Sequence, residues 1–346
     1  MKEDNSSHTN DIDMLMPTED EQHELRMALG RASRPQPDVE AELERFANAN
    51  FVRPNAKPWV KPLAWLCAAA AAVALTLLVV KPLTAEKQQE AFVAVGDMRR
   101  EVTMETDDSE PVVVTQRQLD FRRVAKASAS SPTAEVKKTT IATSRGMDCG
   151  LTLPDGTEVW LNAESRITFA NDFASGAREV EVEGEAYFDV TKDEGRPFVV
   201  KTKYFTTKVL GTSFDVKAYR EETAHVVLVS GKVEVTAADS DTKTMAPGEM
   251  VTLGEGGEMQ KSTVDTYSYI QWKDGFFYFD RTPLGDIMRE LGRWYNINIV
   301  FENPSQMDVR LHFVAEKSQS INDIVKSLDA VAPARLTMGD NEITVD

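Results

Sequence analysis

The sequence has few of the residues from which metal, redox and nucleophilic sites are built. It contains two cysteines and four histidines in 346 residues, and none of them follows a zinc-type spacing. Cys67 lies in an apolar run and Cys149 far beyond it, so no intramolecular disulfide is expected. No phosphate-binding loop, nucleophile elbow or Ser/His/Asp arrangement is present. We therefore expect a protein that is not an enzyme, with no metal and no cofactor.

Positive charge is also scarce. The chain has 39 Lys and Arg against 56 Asp and Glu, which gives a net charge of −17. Contacts to phosphates require basic side chains, so a chain this acidic is a poor ligand for nucleic acid. We expect partners other than nucleic acid.

One long apolar run divides the chain. Residues 63–80 read LAWLCAAAAAVALTLLVV, eighteen residues without a charge, which is the length of a transmembrane helix. Pro62 and Pro82 bound the run, and Trp59 and Trp65 lie where interfacial aromatic residues collect. A buried core helix is the alternative. We predict a single-pass membrane protein with its helix at 63–80.

The charges beside this run predict its orientation. The fifteen residues before it contain three basic residues and no acid, whereas the fifteen after it contain two basic and two acidic residues. Basic residues favour the cytoplasmic side. We predict a cytoplasmic N-terminus and an exported C-terminus.

The segment before the run, residues 1–62, is predicted to form two short amphipathic helices. Thr18 and Glu21 form a capping box for the first helix, and Pro37 precedes the second. Two such helices cannot bury a core of their own, so we expect a helical cytoplasmic segment that folds on a partner protein. A loosely ordered tail is the alternative. The apolar positions on the two helix faces are Leu25, Leu29, Val39, Leu43 and Phe46.

Beyond the run, the pattern changes twice. Residues 81–140 combine short apolar runs with acidic and Ser/Ala-rich stretches, which predicts a mostly extended tether with one or two weak strands. Residues 141–265 then show a period of two. In EVEVEGEAYFDV, residues 179–190, apolar and acidic side chains alternate, and Gly184 marks a bulge or a close contact. We interpret the row of glutamates as a solvated face.

Turn dipeptides recur at short intervals through residues 141–265. Asp155–Gly156 and Ser230–Gly231 each lie between two apolar runs and predict a hairpin. Many short strands at this spacing favour an all-β domain, either an antiparallel sandwich or a solenoid-like stack.

Residues 272–346 predict a small α+β domain. A strand, a helix with one apolar face and a second strand occur twice in succession, as two βαβ-like units. Trp272, Trp294 and Tyr295 also fit a sugar platform, but helical spacing favours Trp294 as a core residue. The apolar faces of the two helices consist of Leu284, Ile287, Met288, Leu291 and Trp294, and of Ile321, Ile324, Val325 and Leu328.

Five successive blocks between residues 151 and 248 resemble the periplasmic domain of FecR-like anti-sigma factors, especially those of Bacteroidetes. The blocks are LPDGTEVWLNAES, REVEVEGEAYFDVTKDEGRPFVVKT, VLGTSFDVKAY, VVLVSGKVEV and MAPGEM. The stretch FFYFDRTPLGDIMRELGRWYNINIVF, from residue 276, resembles the C-terminal domain that follows in these proteins. That domain is similar to the signalling modules of TonB-dependent receptors and secretins.

The resemblance implies an anti-sigma factor of the inner membrane. In such a protein the C-terminal domain contacts the signalling domain of an outer-membrane TonB-dependent receptor, and the cytoplasmic segment holds an extracytoplasmic-function sigma factor. We expect the outer contact to use exposed strand edges and apolar side chains. An intramembrane protease is a further candidate partner. The alternative function is a membrane-anchored periplasmic binding or scaffold protein for a glycan or the cell wall.

The resemblance also points to one peptide bond. Members of this type can cleave themselves at a Gly–Thr bond that matches Gly211–Thr212. The Thr212 hydroxyl would attack the Gly211 carbonyl, and water would hydrolyse the resulting ester. The alternative is that Gly211 forms a bulge and Thr212 is an ordinary strand residue.

Overall fold

The computed structural model of the chain describes residues 90–91, 100–107, 109–122, 137–173, 178–220, 222–237, 241–254 and 257–346. Within those ranges no helix is both long and apolar enough to span a membrane. The predicted span at 63–80 and the segment 1–62 lie outside them. The described residues form two hydrophobic cores, one in an all-β domain and one in an α+β C-terminal domain.

The first seventeen strands precede the C-terminal domain in the chain, and β2 to β17 make up the β domain. They are β1 (Glu90–Ala91), β2 (Val102–Thr106), β3 (Val112–Val114), β4 (Gln118–Asp120), β5 (Lys138–Thr143), β6 (Cys149–Thr152), β7 (Glu158–Leu161), β8 (Arg166–Ala170), β9 (Arg178–Asp189), β10 (Phe198–Lys201), β11 (Phe205–Val209), β12 (Ser213–Ala218), β13 (His225–Ser230), β14 (Val233–Ala237), β15 (Thr242–Met245), β16 (Glu249–Leu253) and β17 (Met259–Thr263).

Strand β9 connects the two halves of the β domain. Its first residues pair with β8 and, in parallel, with β10, whereas its last residues pair with β7 and β12. Gly184 lies where the strand passes from one set of partners to the other, with φ at +90°. A Cβ there would approach Ser165 Cα to 2.7 Å, so glycine permits both the backbone conformation and the close contact. The predicted contact at Gly184 is confirmed.

The alternation along β9 correctly separates the core side chains from the acidic ones, and Glu185 is the one buried acid of the strand. Val180, Val182 and Phe188 are buried in the β-domain core, and the intervening acids Glu181 and Glu183 are exposed. Glu185 is only 5% exposed. The interpretation of the glutamate row as a solvated face is therefore wrong at Glu185, because the C-terminal domain covers this end of the strand.

The two predicted hairpins differ in outcome. Strands β6 and β7 pair antiparallel across Asp155–Gly156, as predicted. The hairpin at Ser230–Gly231 is wrong, because β13 pairs with β12 and β16, whereas β14 pairs with β11 and β15. The turn instead connects the two parts of the sheet. Whether a hairpin forms here depends on the strands with which β13 and β14 pair, and not on the local turn residues.

Residues 102–120 belong to the β domain, although the sequence predicted a mostly extended tether over 81–140. Strand β2 pairs with β3 and β5, and β4 pairs with β6. Val102, Leu119 and Phe121 enter the core. The alternating stretches here, Val102–Met104 and Leu119–Phe121, span only three residues each, which is too short to predict a strand from the sequence.

The C-terminal domain contains the two predicted βαβ-like units. Strand β18 pairs antiparallel with β20, while β19 pairs in parallel with β22 and antiparallel with β1. A helical turn (Tyr267–Ile270) and a 3₁₀ turn (Gln271–Asp274) lead into the domain. Its elements are β18 (Phe276–Pro283), α1 (Leu284–Tyr295), β19 (Asn298–Phe301), a 3₁₀ turn (Pro304–Asp308), β20 (Arg310–Glu316), α2 (Ile321–Asp329), β21 (Leu336–Met338) and β22 (Glu342–Val345).

Both helices bury the faces that their spacing predicts. Leu284, Ile287, Met288 and Leu291 of α1 are fully buried, and Trp294 packs against the same core. Ser320 caps the N-terminus of helix α2, because its hydroxyl accepts from the Asp323 N–H. Both helices thereby share one core with the strands of the domain.

Candidate functional site at the domain boundary

The site residues predicted from the sequence form two groups. The sigma-binding candidates Leu25, Leu29, Val39, Leu43 and Phe46 lie outside the described residues. The predicted cleavage bond, Gly211–Thr212, lies inside them.

The Gly211–Thr212 bond lies in a tightly packed turn. The Thr212 side chain is buried, and its hydroxyl donates to the Lys232 carbonyl oxygen at 3.0 Å. A Cβ on Gly211 would lie 2.7 Å from Lys192 Cα, and a Cβ on Gly231 would lie 2.9 Å from the Gly211 carbonyl oxygen. Packing therefore explains the glycines at both positions. A carbonyl oxygen cannot take up the hydroxyl proton, so none of these contacts provides a general base for Thr212. Cleavage stays a prediction.

A second site, which the sequence did not indicate, lies where the β domain meets the C-terminal domain. Six largely buried charged side chains gather there from both domains. We call them the seam cluster. Its members are Glu185 on β9, Lys217 on β12, Glu222 after β12, Glu290 and Arg293 on α1, and Lys317 after β20.

Lys217 is the cation at the centre of the cluster. Its Nζ lies 2.5 Å from Glu290 Oε1 in the C-terminal domain and 3.4 Å from Glu222 Oε2 in the β domain. It also stands opposite Glu185 in the β9–β12 pairing. Burial alone would lower the pKa of Lys217, but the charges of Glu290 and Glu222 outweigh it and raise that pKa well above its ordinary value. Lys217 is therefore a fixed positive charge.

Arg293 of helix α1 also contacts the β domain. Its guanidinium forms an ion pair with Glu222 and lies 3.7 Å from the centre of the Tyr219 ring. The Arg293 carbonyl oxygen accepts from the Gly146 N–H at 3.1 Å. Both the side chain and the backbone of this residue thus contact the β domain.

Lys317 completes the network through an amide. Its Nζ lies 3.3 Å from Asn162 Oδ1, and the Asn162 amide donates to Glu185 Oε2 at 2.7 Å. The Lys317 ammonium also lies 4.1 Å from the centre of the Trp294 ring, a cation–π contact. Burial lowers its pKa.

The buried carboxyls have opposed pKa shifts. Burial, reinforced by the charge of Glu290, raises the pKa of Glu185 to about 7. Burial acts on Glu290 in the same direction, but the charges of Lys217 and Arg293 bring the pKa of Glu290 down to about 2. One carboxyl is thus held ionised while its neighbour titrates near neutrality.

A further carboxyl extends the contact on the β-domain side. Asp215 is completely buried, and the Trp272 indole N–H donates to its Oδ1 at 3.2 Å. Burial and the charge of Glu185 raise the pKa of Asp215 well above its ordinary value. In the part of the chain that the structure describes, no group of three His, Cys, Asp or Glu side chains could hold a metal ion. The chemistry of the cluster is charge pairing between two domains.

Sequence reasoning missed this cluster because its members come from distant positions. Lys217 and Glu290 are separated by 73 residues, and a charged residue on a strand or helix usually faces solvent. The available signal was small: Lys217 and Asp215 alternate with the apolar residues of VLGTSFDVKAY, and Glu290 lies beside the apolar stripe of α1.

Comparison with known proteins places both sides of the cluster in one family. Residues 139–234 match the model of the FecR protein family, and residues 276–345 match that of the FecR C-terminal domain. Two crystal structures of a candidate anti-sigma factor from Parabacteroides distasonis ATCC 8503, at 1.65 and 2.50 Å resolution, resemble the chain at 33% and 34% identity, each with a TM-score of 0.56. Each comparison covers 60% of this chain and 98% of the solved chain.

The chain belongs to the FecR family. Membership of this family, together with the likeness to candidate anti-sigma factors, supports a regulatory role directed at a sigma factor. None of the curated proteins gives a significant match. The seam cluster lies between the two FecR segments: Glu185, Lys217 and Glu222 fall in the first match, and Glu290, Arg293 and Lys317 fall in the second.

Proposed function

We propose that this FecR-family chain is an inner-membrane anti-sigma factor that relays a signal from an outer-membrane TonB-dependent receptor to a cytoplasmic extracytoplasmic-function sigma factor. The observation that carries the proposal is the likeness to a solved candidate anti-sigma factor at 33% identity over 98% of its length. The C-terminal domain contacts the receptor's signalling domain, and residues 1–62 hold the sigma factor.

The proposal requires a single membrane crossing at residues 63–80, with the N-terminus in the cytoplasm and both described domains in the periplasm. Apolar length and flanking charge support this topology. Fusing alkaline phosphatase to the C-terminus tests it, because that enzyme is active only outside the cytoplasm. An inactive phosphatase fusion, paired with an active cytoplasmic reporter at the same position, would contradict it.

The seam cluster suits a relay that moves the two domains together. A single membrane helix transmits little differential free energy by itself, so a relay needs rigid displacement or a cut. Glu290 and Arg293 of α1 both pair with groups of the β domain, and such buried pairs favour one orientation of the two domains. A displacement of the C-terminal domain then carries the β domain with it. A cut near the membrane would need an intramembrane protease as a further partner.

Co-purification of the sigma factor with the full chain tests the central contact. Leu43→Asp places a charge on the apolar face of the second predicted helix, whereas Ala41→Asp places the same charge on its opposite side. We expect the sigma factor to accompany the wild type and Ala41→Asp, and to be lost from Leu43→Asp. Equal recovery with Leu43→Asp and with the double variant Leu29→Asp/Leu43→Asp, or no recovery with the wild type, would refute the proposal.

A further inference from the structure

A groove of about 550 Å³ lies between the two domains beside the seam cluster. Lys217 and Glu290 form part of its lining, and so do all eight residues of strand β18. The family comparison assigns no role to this groove.

Strand β18 turns towards the groove the edge that lies opposite β20. It pairs with β20 along one edge, and no other strand in the described ranges pairs with it. Successive side chains of a strand point to opposite faces, so a groove that contacts all eight residues runs along the edge of the strand. In an antiparallel pair every second residue turns its N–H and C=O groups away from the partner strand, here to the side of β18 that lies opposite β20.

The other wall comes largely from the β domain. Met250 and Thr252 of β16 line it together with His225 of β13. The Tyr269 ring packs edge to face on His225, with their centres 5.6 Å apart, and it lines the groove with Tyr278 of β18. The groove thus combines backbone hydrogen-bonding groups on one side with apolar and aromatic side chains around them.

Two arginine side chains lie beyond the point where the pairing of β18 becomes irregular. The pairing of β18 with β20 shifts register after Phe279, and the Arg281 side chain beyond it is 85% exposed. The Arg310 guanidinium donates to the Arg281 carbonyl oxygen at 2.8 Å. Asp280, 3.7 Å from Arg281, and Asp286 are the acids on this part of the lining. Asp286 pairs with Arg289 at 2.8 Å, so three guanidinium groups stand against two carboxylates.

We propose that this groove binds an extended peptide segment, which adds as a strand to the open edge of β18. The regular part of β18 holds the backbone of the peptide, Tyr269 and Tyr278 contact its apolar side chains, and Arg281 and Arg310 bind an acidic side chain at one end. The groove would then be the place where the receptor contact proposed above is made, with the receptor supplying the peptide. Only this source of the peptide rests on the proposed function. Backbone groups that repeat along a strand match a peptide better than a glycan.

A library of random peptides of about twelve residues, displayed on phage, is the probe. Selection uses the full chain in lipid nanodiscs. We expect enriched peptides that alternate apolar and other residues and carry an acid near one end. Bound peptide should slow hydrogen exchange of the amides between Phe276 and Asp280. A selection without enrichment, or peptides that leave this exchange unchanged, would overturn the proposal.

Matched variants locate the binding. Thr252→Trp fills the groove from the β-domain wall and should abolish binding, whereas Thr244→Trp, at an exposed position on β15, should bind as the wild type. Arg281→Glu should weaken binding about tenfold, an effect that salt reduces. Lys326→Glu makes the same charge change on α2 and should have no effect. Peptides that bind Thr252→Trp and Arg281→Glu normally would contradict the proposal.

Two further outcomes distinguish peptide binding in the groove from glycan binding and from the receptor contact. Binding of peptidoglycan oligosaccharides that is lost in Thr252→Trp, with no peptide enriched, would assign the groove to glycans and overturn the peptide proposal. A receptor signalling domain that displaces the peptide would make the groove the receptor site. A signalling domain that fails to bind the chain would refute the proposed function, while Thr252-dependent peptide binding would still support the groove.

Discussion

Lys217 Nζ on strand β12 lies 2.5 Å from Glu290 Oε1 on helix α1. The two residues belong to different FecR segments, and both are largely buried. This pair and its neighbours connect a β domain to an α+β domain through charge, and the groove along β18 lies beside them. Binding in the groove and the orientation of the two domains therefore involve the same residues.

Removing the central cation should destabilise the described unit. Lys217→Met leaves Glu290 and Glu222 buried without their shared partner, and we expect the free energy of unfolding to fall by about 3 kcal/mol. Urea unfolding of the full chain, followed by tryptophan fluorescence, measures the change. Lys326→Met, at an exposed position of α2, should change it by less than about 0.5 kcal/mol. Equal stabilities of the two variants would show that the Lys217–Glu290 pair does not stabilise the fold.

The raised pKa of Glu185 predicts a pH dependence. Its pKa of about 7 exceeds the ordinary value of 4.5, so the folded state binds the proton more tightly than the unfolded state. The resulting stabilisation is complete below the unfolded pKa and is lost as pH rises through about 7. Burial also raises the pKa of Asp215, which adds an effect of the same sign. Glu290, with a pKa of about 2, loses its contribution only in strong acid.

We therefore expect the stability of the described unit to fall between about pH 5 and about pH 8. Urea unfolding across this range measures the slope. Glu185→Gln should flatten the slope, whereas Glu183→Gln, at an exposed position of the same strand, should leave it unchanged. Parallel slopes for the wild type and Glu185→Gln would contradict the assignment.

Gly231 should tolerate no side chain. Its φ is +90°, and a Cβ would lie 2.8 Å from Thr212 Oγ1. Gly248 has a similar φ of +84° but nothing within 4 Å of its Cβ position. We expect Gly248→Ala to cost about 1 kcal/mol in backbone strain and Gly231→Ala clearly more, about 2–3 kcal/mol. Thermal unfolding of both variants compares them, and equal losses would mean that the turn relaxes freely around Gly211–Thr212.

Self-cleavage at Gly211–Thr212 has a direct test. If the Thr212 hydroxyl attacks the preceding carbonyl, a C-terminally tagged chain should give a full-length band and a shorter band, and Thr212→Ala should give only the first. Thr206→Ala on β11 serves as the control, since the same change there should leave both bands. A single full-length band from the wild type would leave Thr212 as a packing residue that binds the Lys232 carbonyl.

Sequence pattern predicted those elements whose form depends on local periodicity. The alternation along β9 identified its core residues, and the 3.6-residue period of α1 and α2 identified theirs. The seam cluster could not be predicted, because the burial of Glu185 depends on a domain that begins almost a hundred residues later. The Ser230–Gly231 turn failed for a related reason: its dipeptide permits a hairpin, but the strand partners of β13 and β14 decide whether one forms.

The sigma-factor relay is tested most directly by transcription from a sigma-dependent reporter in cells that carry the receptor, the sigma factor and either the full chain or a chain lacking residues 2–62. We expect the reporter to respond to receptor ligand with the full chain and to lose that response with the truncated chain. An identical response with both chains, at every concentration of ligand, would contradict the proposed relay.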